Sequence, residues 1–558
     1  MHIKSTLKLI PNEYRKRFIV ISVLNILKNT IDLVGLASLL PIIIILLDNT
    51  IIQDNAFFNY LFKALPIQTN REFEIILCIC ILLWLPLKSV LSIVITKAKQ
   101  KYLLGLYRYY ANSIFKLYQN RGLLFIKQSH SSQLSVKINN ACYSFALQVI
   151  GSIINLIGEI FIVLILFICA LYASTTASLL LFFTTTPIII IYFLITQKRI
   201  KELGTKSFEA KKEQVAIVQD SLRGFINITI SGSKQRVLDK FNKGLKNISD
   251  SDINYTIYSQ IPTLILQIMV AIALISLLFI SDFVATSTTL FILFGFIAVR
   301  LMPAIIRISN YWIFLNKSSH FYDTIKEINT KENVEQEQDT SPIIFKDEIN
   351  LKNISFTFPD GAELIKNISL TIKKGEIVGF TGRSGVGKST LFNIILGLYQ
   401  ANKGQIFVDN TPLDRKNIAE WHKMVGYSEQ DTFISRDTLA HNIAMTDSPD
   451  TELVNKYIDK VGLQDIVASM PNGIFTQMSE MGTNLSGGEK QRIGIARALY
   501  KNAQVLLFDE TTSALDSKNE ENIISLLSHL AKRDKLTVLI ISHRESTLRL
   551  CNRVIQMQ

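Results

Sequence analysis

Two short stretches carry residue types suited to phosphate chemistry. GRSGVGKS at 382–389 follows the apolar run IVGFT. Its G-x-x-x-x-G-K-S spacing lets the backbone curl until its N–H groups point at phosphate oxygens. In this reading Gly382, Arg383, Ser384, Gly385, Val386 and Gly387 form the cradle. Lys388 reaches the β- and γ-phosphates, the Ser389 hydroxyl is a magnesium ligand, and Thr390 lies in the helix whose positive end completes the site. VLLFDE at 505–510 is an apolar strand ending in two carboxylates. A buried strand presents such groups at the ligand edge of a sheet. Asp509 is then placed to hold magnesium, directly or through water, and Glu510 to polarise a water against the γ-phosphate. The alternative, a solvated acidic turn, fits poorly beside a phosphate loop.

These residues need an α/β scaffold. Beyond residue 341, strand-like runs alternate with helical ones: Ile377–Thr381 and a helix after Lys388, Val505–Phe508 and a helix after Lys518, then Thr537–Ser542. That pattern predicts a largely parallel sheet. The first half is different. Of 558 residues only 19% are charged, and the mean hydropathy is +0.28, too apolar for an ordinary soluble chain. The excess sits in runs near 18–47, 73–96, 143–172, 177–196, 260–281 and 287–316, each long enough to span a bilayer. The predicted plan is a transmembrane domain over 1–326, a polar linker over 327–342 and a soluble domain over 343–558.

The net charge of +13 raises nucleic-acid binding, but its distribution argues against it. Lys and Arg crowd the stretches after the second and fourth runs, the mark of cytoplasmic segments. This places both termini in the cytoplasm and predicts no nucleic-acid partner. Those stretches have apolar residues at helical spacing (Leu103, Leu106, Tyr107, Tyr110), so helices two to five are predicted to continue past the bilayer. A turn-rich piece, Arg223 to Gly232, interrupts the second stretch and is placed to dock on the soluble half. Asn55 to Leu65 reads as a short amphipathic helix on the outer surface or as a lip packed on the protein. The five cysteines lack disulfide or zinc spacing and read as small buried hydrophobes. No cleavable signal peptide is evident, and the first helix reads as a retained anchor.

LSGGEKQR at 485–492 adds a family resemblance. With the motifs above, the chain resembles ATP-binding cassette (ABC) transporters. The resemblance implies that Ser486, Gly487 and Gly488 open a helix and cap the γ-phosphate of ATP held by the opposite subunit. It implies that Phe358, where tyrosine is usual, stacks on adenine, and that Gln430 senses magnesium. Glu480 matches a coupling loop, SALD at 513–516 the loop at the dimer interface, and His543 the switch histidine on the γ-phosphate. Catalysis would fall to Glu510 and His543, and the metal to Ser389, Gln430 and Asp509. ATP and Mg2+ are the implied ligands. The fused membrane half looks like an exporter-type half-transporter. A cassette whose signature acts across an interface needs a partner, either a second copy or a related half-transporter. A soluble mechanical ATPase shares the cassette but predicts no bilayer-length runs. A nucleotide-gated channel is the third class, and the sequence gives no sign of it.

Cargo is addressed by the sixth run. Arg300 and Arg307 are seven residues apart, on one helical face and about 10 Å apart along the axis. Arginine at membrane depth usually faces a cavity or a partner, and two guanidinium forks suit a pyrophosphate. Snorkelling to headgroups is the alternative for Arg307. Lys88 is a candidate third charge, Lys28 and Asp32 are spaced to neutralise each other, and Glu159 is free to pair with a cation. This arrangement is similar to bacterial lipid-linked oligosaccharide flippases, which implies an amphipathic, pyrophosphate-bearing lipid moved across the bacterial inner membrane. Peptide, other lipid and drug are the alternatives.

Overall fold

The computed structural model describes residues 3–39, 42, 45, 60, 62, 69–173, 175–281, 288–329, 342–359, 361–479, 482, 484–510 and 517–558. The chain divides into two compact units: Met1–Arg121 with Ile126–Asn333, and Gly122–Phe125 with Val334–Gln558.

The first unit is helical. Its long members are α1 (Asn12–Ala37), α2 (Asn70–Asn120), α3 (Gly151–Ala173), α4 (Thr175–Arg223), α5 (Lys234–Ser281) and α6 (Thr288–Lys317). Among the described residues four helical stretches are long and apolar enough to cross a membrane: Asn12–Ala37, Asn70–Asn120, Ser131–Tyr172 and Lys234–Ile272. The other two predicted runs lie on α4 and α6. Helix α2 has 51 residues and is therefore about 76 Å long, more than twice the ~30 Å hydrocarbon layer. Its start is set by a capping box between Thr69 and Glu72. Its apolar part is turned outward: Leu82, Leu83, Leu87 and Ile93 are 72, 67, 62 and 67% exposed. In water that surface would be a large liability, whereas lipid covers it. Past Ile95 the same helix buries Leu103, Leu106 and Tyr110, the polarity of an ordinary amphipathic helix. Helix α3 is preceded by wide turns over Lys137–Ala141 and Ser144–Ile150.

Three sequence expectations are corrected here. Asp32 pairs with Lys88 at 3.4 Å rather than being neutralised within its own helix by Lys28, because helix rotation carries it towards α2. Of the cysteines only Cys142 is buried; Cys78, Cys80 and Cys169 are exposed, as side chains on lipid-facing surfaces are. Arg223 to Gly232 contains a short helix, Phe225–Ile230, rather than turns alone, and Phe225, Ile226 and Ile230 stand 65, 70 and 81% exposed. The proposed outer amphipathic helix lies outside the described residues apart from Tyr60 and Phe62, as does most of the linker.

The second unit is α/β. Strands β1 (Glu348–Thr357), β2 (Glu363–Lys373), β4 (Lys403–Val408) and β5 (Thr411–Pro412) form an antiparallel sheet in the order β2-β1-β4-β5. Strands β3 (Ile377–Thr381), β6 (Val425–Ser428), β7 (Val505–Asp509), β8 (Thr537–Ile541) and β9 (Arg553–Gln556) form a sheet in the order β6-β7-β8-β3-β9. All its pairings are parallel. β7 and β8 are buried at every position, which explains their unbroken apolar runs. Helices α7 (Lys388–Ile395), α8 (Gly487–Tyr500) and α9 (Ser517–Asp534) follow the loops that carry the candidate residues. Gly122–Phe125 belongs to this unit through Leu123 and Leu124, which pack on its core.

Candidate functional site

Parallel strands end at one edge, and that edge collects the candidate groups. Residues 382–389 follow β3, Gln430 lies two residues past β6, Glu510 one past β7 and His543 two past β8. The loop after β3 turns through three glycines with positive φ: Gly382 at 148°, Gly385 at 84° and Gly387 at 101°. A Cβ on Gly382 would stand 2.5 Å from the Met557 carbonyl oxygen, so no larger residue fits without a shift. Helix α7 begins immediately after Gly387. Lys388 is buried, and its Nζ donates to the carbonyls of Gly382 at 2.8 Å and Arg383 at 3.1 Å. The ammonium is thereby held over the loop that carries Ser384 and Gly385. Ser389 is exposed in the first turn of α7 and Thr390 is half-buried.

Two residues far apart in the chain meet at Glu510. Gln430 Nε2 donates to Glu510 Oε2 at 2.8 Å, and His543 Nε2 lies 3.3 Å from Glu510 Oε1. Glu510 itself has φ 49°, a left-handed conformation costing a non-glycine residue roughly 1–3 kcal/mol. Its N–H donates to the Ile541 carbonyl at 3.0 Å, which holds this conformation against β8. Asp509 is buried at the end of β7. Burial raises the Tyr427 pKa, with the charges of Asp509 and Glu429 adding to the effect. The phenol on β6 therefore stays neutral beside these carboxylates.

Phe358 follows β1, with its ring edge-on to Phe356 at 5.0 Å and to Tyr399 at 6.3 Å. Phe356 and Tyr399 stack at 5.4 Å, so a rigid aromatic group backs Phe358. Sequence reasoning missed Tyr399, which no motif marks. Ser486 is the N-cap of α8: its hydroxyl accepts from Glu489 N–H, and its own N–H donates to the Glu489 carboxylate. Gly487 and Gly488 form the first turn. Among the described residues no hydrogen bond or ion pair joins Ser486, Gly487 or Gly488 to Lys388, Glu510 or His543. Glu480 and residues 513–516 lie outside the described residues.

The first unit sorts the two arginines of α6. Arg307 makes a bidentate ion pair with Glu159 of α3, Nε to Oε1 at 2.8 Å and Nη2 to Oε2 at 2.9 Å, and Glu159 is buried. Two of its donors are thus spent within the protein. Arg300, seven residues earlier, has a buried Nε with no hydrogen-bond partner among the described residues. Sequence reasoning also missed a polar cluster one layer away. Lys99 Nζ donates to the Asn25 side chain at 3.3 Å and to that of Asn155 at 2.9 Å.

A profile of the family described as ABC transporter matches residues 365–513. A Haemophilus influenzae protein named "Probable ABC transporter ATP-binding/permease protein" is 31% identical over 377 residues, covering 65% of this chain and 67% of that one. An "ATP-dependent lipid A-core flippase" of Wigglesworthia glossinidia brevipalpis is 31% identical over 367 residues, covering 63% of this chain. The match spans 61% of that flippase, less than two thirds of its length. Among solved structures, one described as a bacterial Atm1-family ABC exporter with ATP bound superposes with a TM-score of 0.79 at 20% identity, over 98% of this chain and 94% of that one. The architecture is therefore the fold of that exporter: a helical membrane region followed by a cassette built on a parallel sheet. Motif order, sheet-edge geometry and these likenesses agree: the chain belongs to the ABC transporter family, as an ATP-hydrolysing transporter with its membrane region and cassette fused in one polypeptide.

Proposed function

We propose that the protein couples ATP hydrolysis at Glu510 to the export or flipping of an amphipathic substrate with an anionic head, a lipid-linked oligosaccharide or related glycolipid. The observation that carries the reading is Glu510 held between Gln430 and His543 at the edge that also bears the phosphate loop. The loop N–H groups from Gly382 to Gly387, with Lys388, Ser389 and Thr390, bind the phosphates, and Phe358 offers its face to the adenine. Glu510 orients and polarises the attacking water, and His543 contacts the γ-phosphate. Ser389, Gln430 and Asp509 offer a hydroxyl, an amide and a carboxylate oxygen, a donor set that suits magnesium. When bound, the ion neutralises phosphate charge. Ser486, Gly487 and Gly488 act on the nucleotide of the opposite subunit, so the working unit is a dimer of this chain or of this chain with a related half-transporter. The cassette and both termini face the cytoplasm of a bacterium, with the helices in its inner membrane.

For cargo, the lipid reading draws on relatives named lipid A-core flippase and on Arg300. An arginine at this depth with an unsatisfied donor is costly unless a polar ligand meets it. Arg307 remains part of the candidate cargo site, held in register by Glu159. The test uses proteoliposomes carrying a pyrophosphate-linked oligosaccharide lipid, lipid A-core or an amphipathic peptide. The glycolipids are expected to raise the ATPase rate and to be flipped. Arg300→Ala is expected to cut flipping at least tenfold, as loss of a charge-assisted contact of roughly 1.5–3 kcal/mol implies, and to leave basal hydrolysis within a few-fold. Stimulation by the peptide alone would overturn the lipid reading.

A further inference from the structure

The active edge needs His543 within reach of Glu510, yet the histidine side chain is 49% exposed and sits on a loop. What holds that loop is a carboxylate from elsewhere. Glu520, in the first turn of α9, is 5% exposed. It receives three donors from the four residues that follow His543. Arg544 Nη1 donates to Oε2, Ser546 Oγ to Oε1 at 2.8 Å and Thr547 Oγ1 to Oε1 at 2.9 Å. Thr547 is itself fully buried. On the other flank the Arg544 N–H donates to Ser542 Oγ at 3.0 Å, and the Ser542 N–H to the Phe380 carbonyl at 3.2 Å. The loop is therefore clamped on both sides of His543, to the phosphate-loop strand by Ser542 and to α9 by Glu520.

A buried carboxylate is costly unless paired and hydrogen-bonded. Burial alone would raise its pKa, but the Ser546, Arg544 and Thr547 hydrogen bonds and the Arg544 charge hold it below the usual carboxylate range. The group is thus an anion under working conditions and exerts its full pull on the loop. Glu510 and Glu520 are ten residues apart in the chain. One contacts the histidine and the other holds the backbone that carries it.

We infer that Glu520 is a positioning residue for hydrolysis: it fixes the distance between His543 and Glu510 by holding Arg544, Ser546 and Thr547. The inference rests on the catalytic reading of Glu510 and His543. A loop displaced by about 1 Å costs on the order of a hundredfold in turnover without weakening phosphate binding, because the phosphate loop and Phe358 are untouched.

The experiment measures ATPase kcat and KM, and nucleotide affinity, for the full-length protein in lipid. Glu520→Ala is expected to lower kcat ten- to a hundredfold with affinity within about threefold. Glu520→Gln, which keeps one carbonyl oxygen whose two lone pairs can meet both hydroxyl donors, is expected to recover part of the loss. If Glu520→Ala does not fold, Glu520→Gln and Arg544→Lys carry the test, each with a reduced kcat at unchanged affinity. In a His543→Ala background, Glu520→Ala is expected to add less than threefold, since there is no imidazole left to place. Full additivity there, or normal kcat for the folded Glu520 variants, overturns the positioning role. Normal kcat for His543→Ala alone would instead remove the catalytic reading beneath it.

Discussion

At the residue scale, the proposed roles separate binding from chemistry. Lys388 is buried and already folded over the loop carbonyls of Gly382 and Arg383, so its charge is available wherever phosphate enters. Among the described residues no hydrogen bond or ion pair joins Glu510 to that loop; its carboxylate meets Gln430 and His543. The two residues should therefore fail differently. Glu510→Gln is expected to bind ATP with near-normal affinity and to lose at least a hundredfold in turnover, since the amide cannot take a proton from water. Trapped nucleotide, counted after rapid desalting, checks this. Lys388→Ala is expected to weaken ATP binding itself, by roughly tenfold or more for one charge-assisted contact. Undiminished hydrolysis by Glu510→Gln would remove that residue from catalysis.

At the element scale, α3 and α6 are joined by the Glu159–Arg307 pair and by a small apolar group of Leu33, Ile162, Leu166 and Ala304. Arg307 is partly open, with 35% of its side chain exposed against 10% for Glu159. Removing the carboxylate leaves a guanidinium facing an apolar surround, while removing both charges leaves nothing to solvate. Glu159→Gln is therefore expected to destabilise the membrane unit by about 1–3 kcal/mol, below the range for a fully buried pair because Arg307 is partly open. The double change Glu159→Gln with Arg307→Met is expected to recover most of that. Thermal unfolding in lipid nanodiscs measures the cycle. Additive losses would mean that the pair is not coupled and that Glu159 does not hold Arg307 in register.

At the scale of the whole molecule, the proposed ATP site needs a phosphate loop and a signature from opposite cassettes; among the described residues no hydrogen bond or ion pair joins Ser486, Gly487 or Gly488 to Lys388, Glu510 or His543. Ser486 spends its hydroxyl on the N–H of Glu489, and the first turn of α8 presents Gly487 and Gly488. The composite-site reading predicts complementation. Chains with Lys388→Ala mixed with chains carrying Ser486→Arg form dimers in which one site bears both lesions and the other bears none. ATPase activity of the mixture is expected to exceed that of either pure variant several-fold. Wild-type activity of pure Ser486→Arg protein would contradict the signature's role outright.

The sequence by itself determined whatever depends on near neighbours in the chain. Glycine spacing at 382–387 requires positive φ at Gly382, Gly385 and Gly387, and the apolar runs at 505–508 and 537–541 become fully buried parallel strands. Bilayer-length runs were legible for the same reason, because hydropathy is a local sum. The antiparallel sheet β2-β1-β4-β5 was not read, although the apolar alternation of Ile349 with Leu351, and of Ile354 with Phe356, left a signal. Only the tertiary structure decided how charges are spent. Spacing put Lys28 beside Asp32, but the rotation of α1 hands Asp32 to Lys88. Spacing placed Arg300 and Arg307 on one face, but α3 brings Glu159 to the second of them, 148 residues away. Gln430 and Glu510, 80 residues apart, meet because β6 and β7 are adjacent and parallel. Long-range pairing depends on helix rotation, depth and strand order, which are set by packing and have no counterpart in the spacing of residues along the chain.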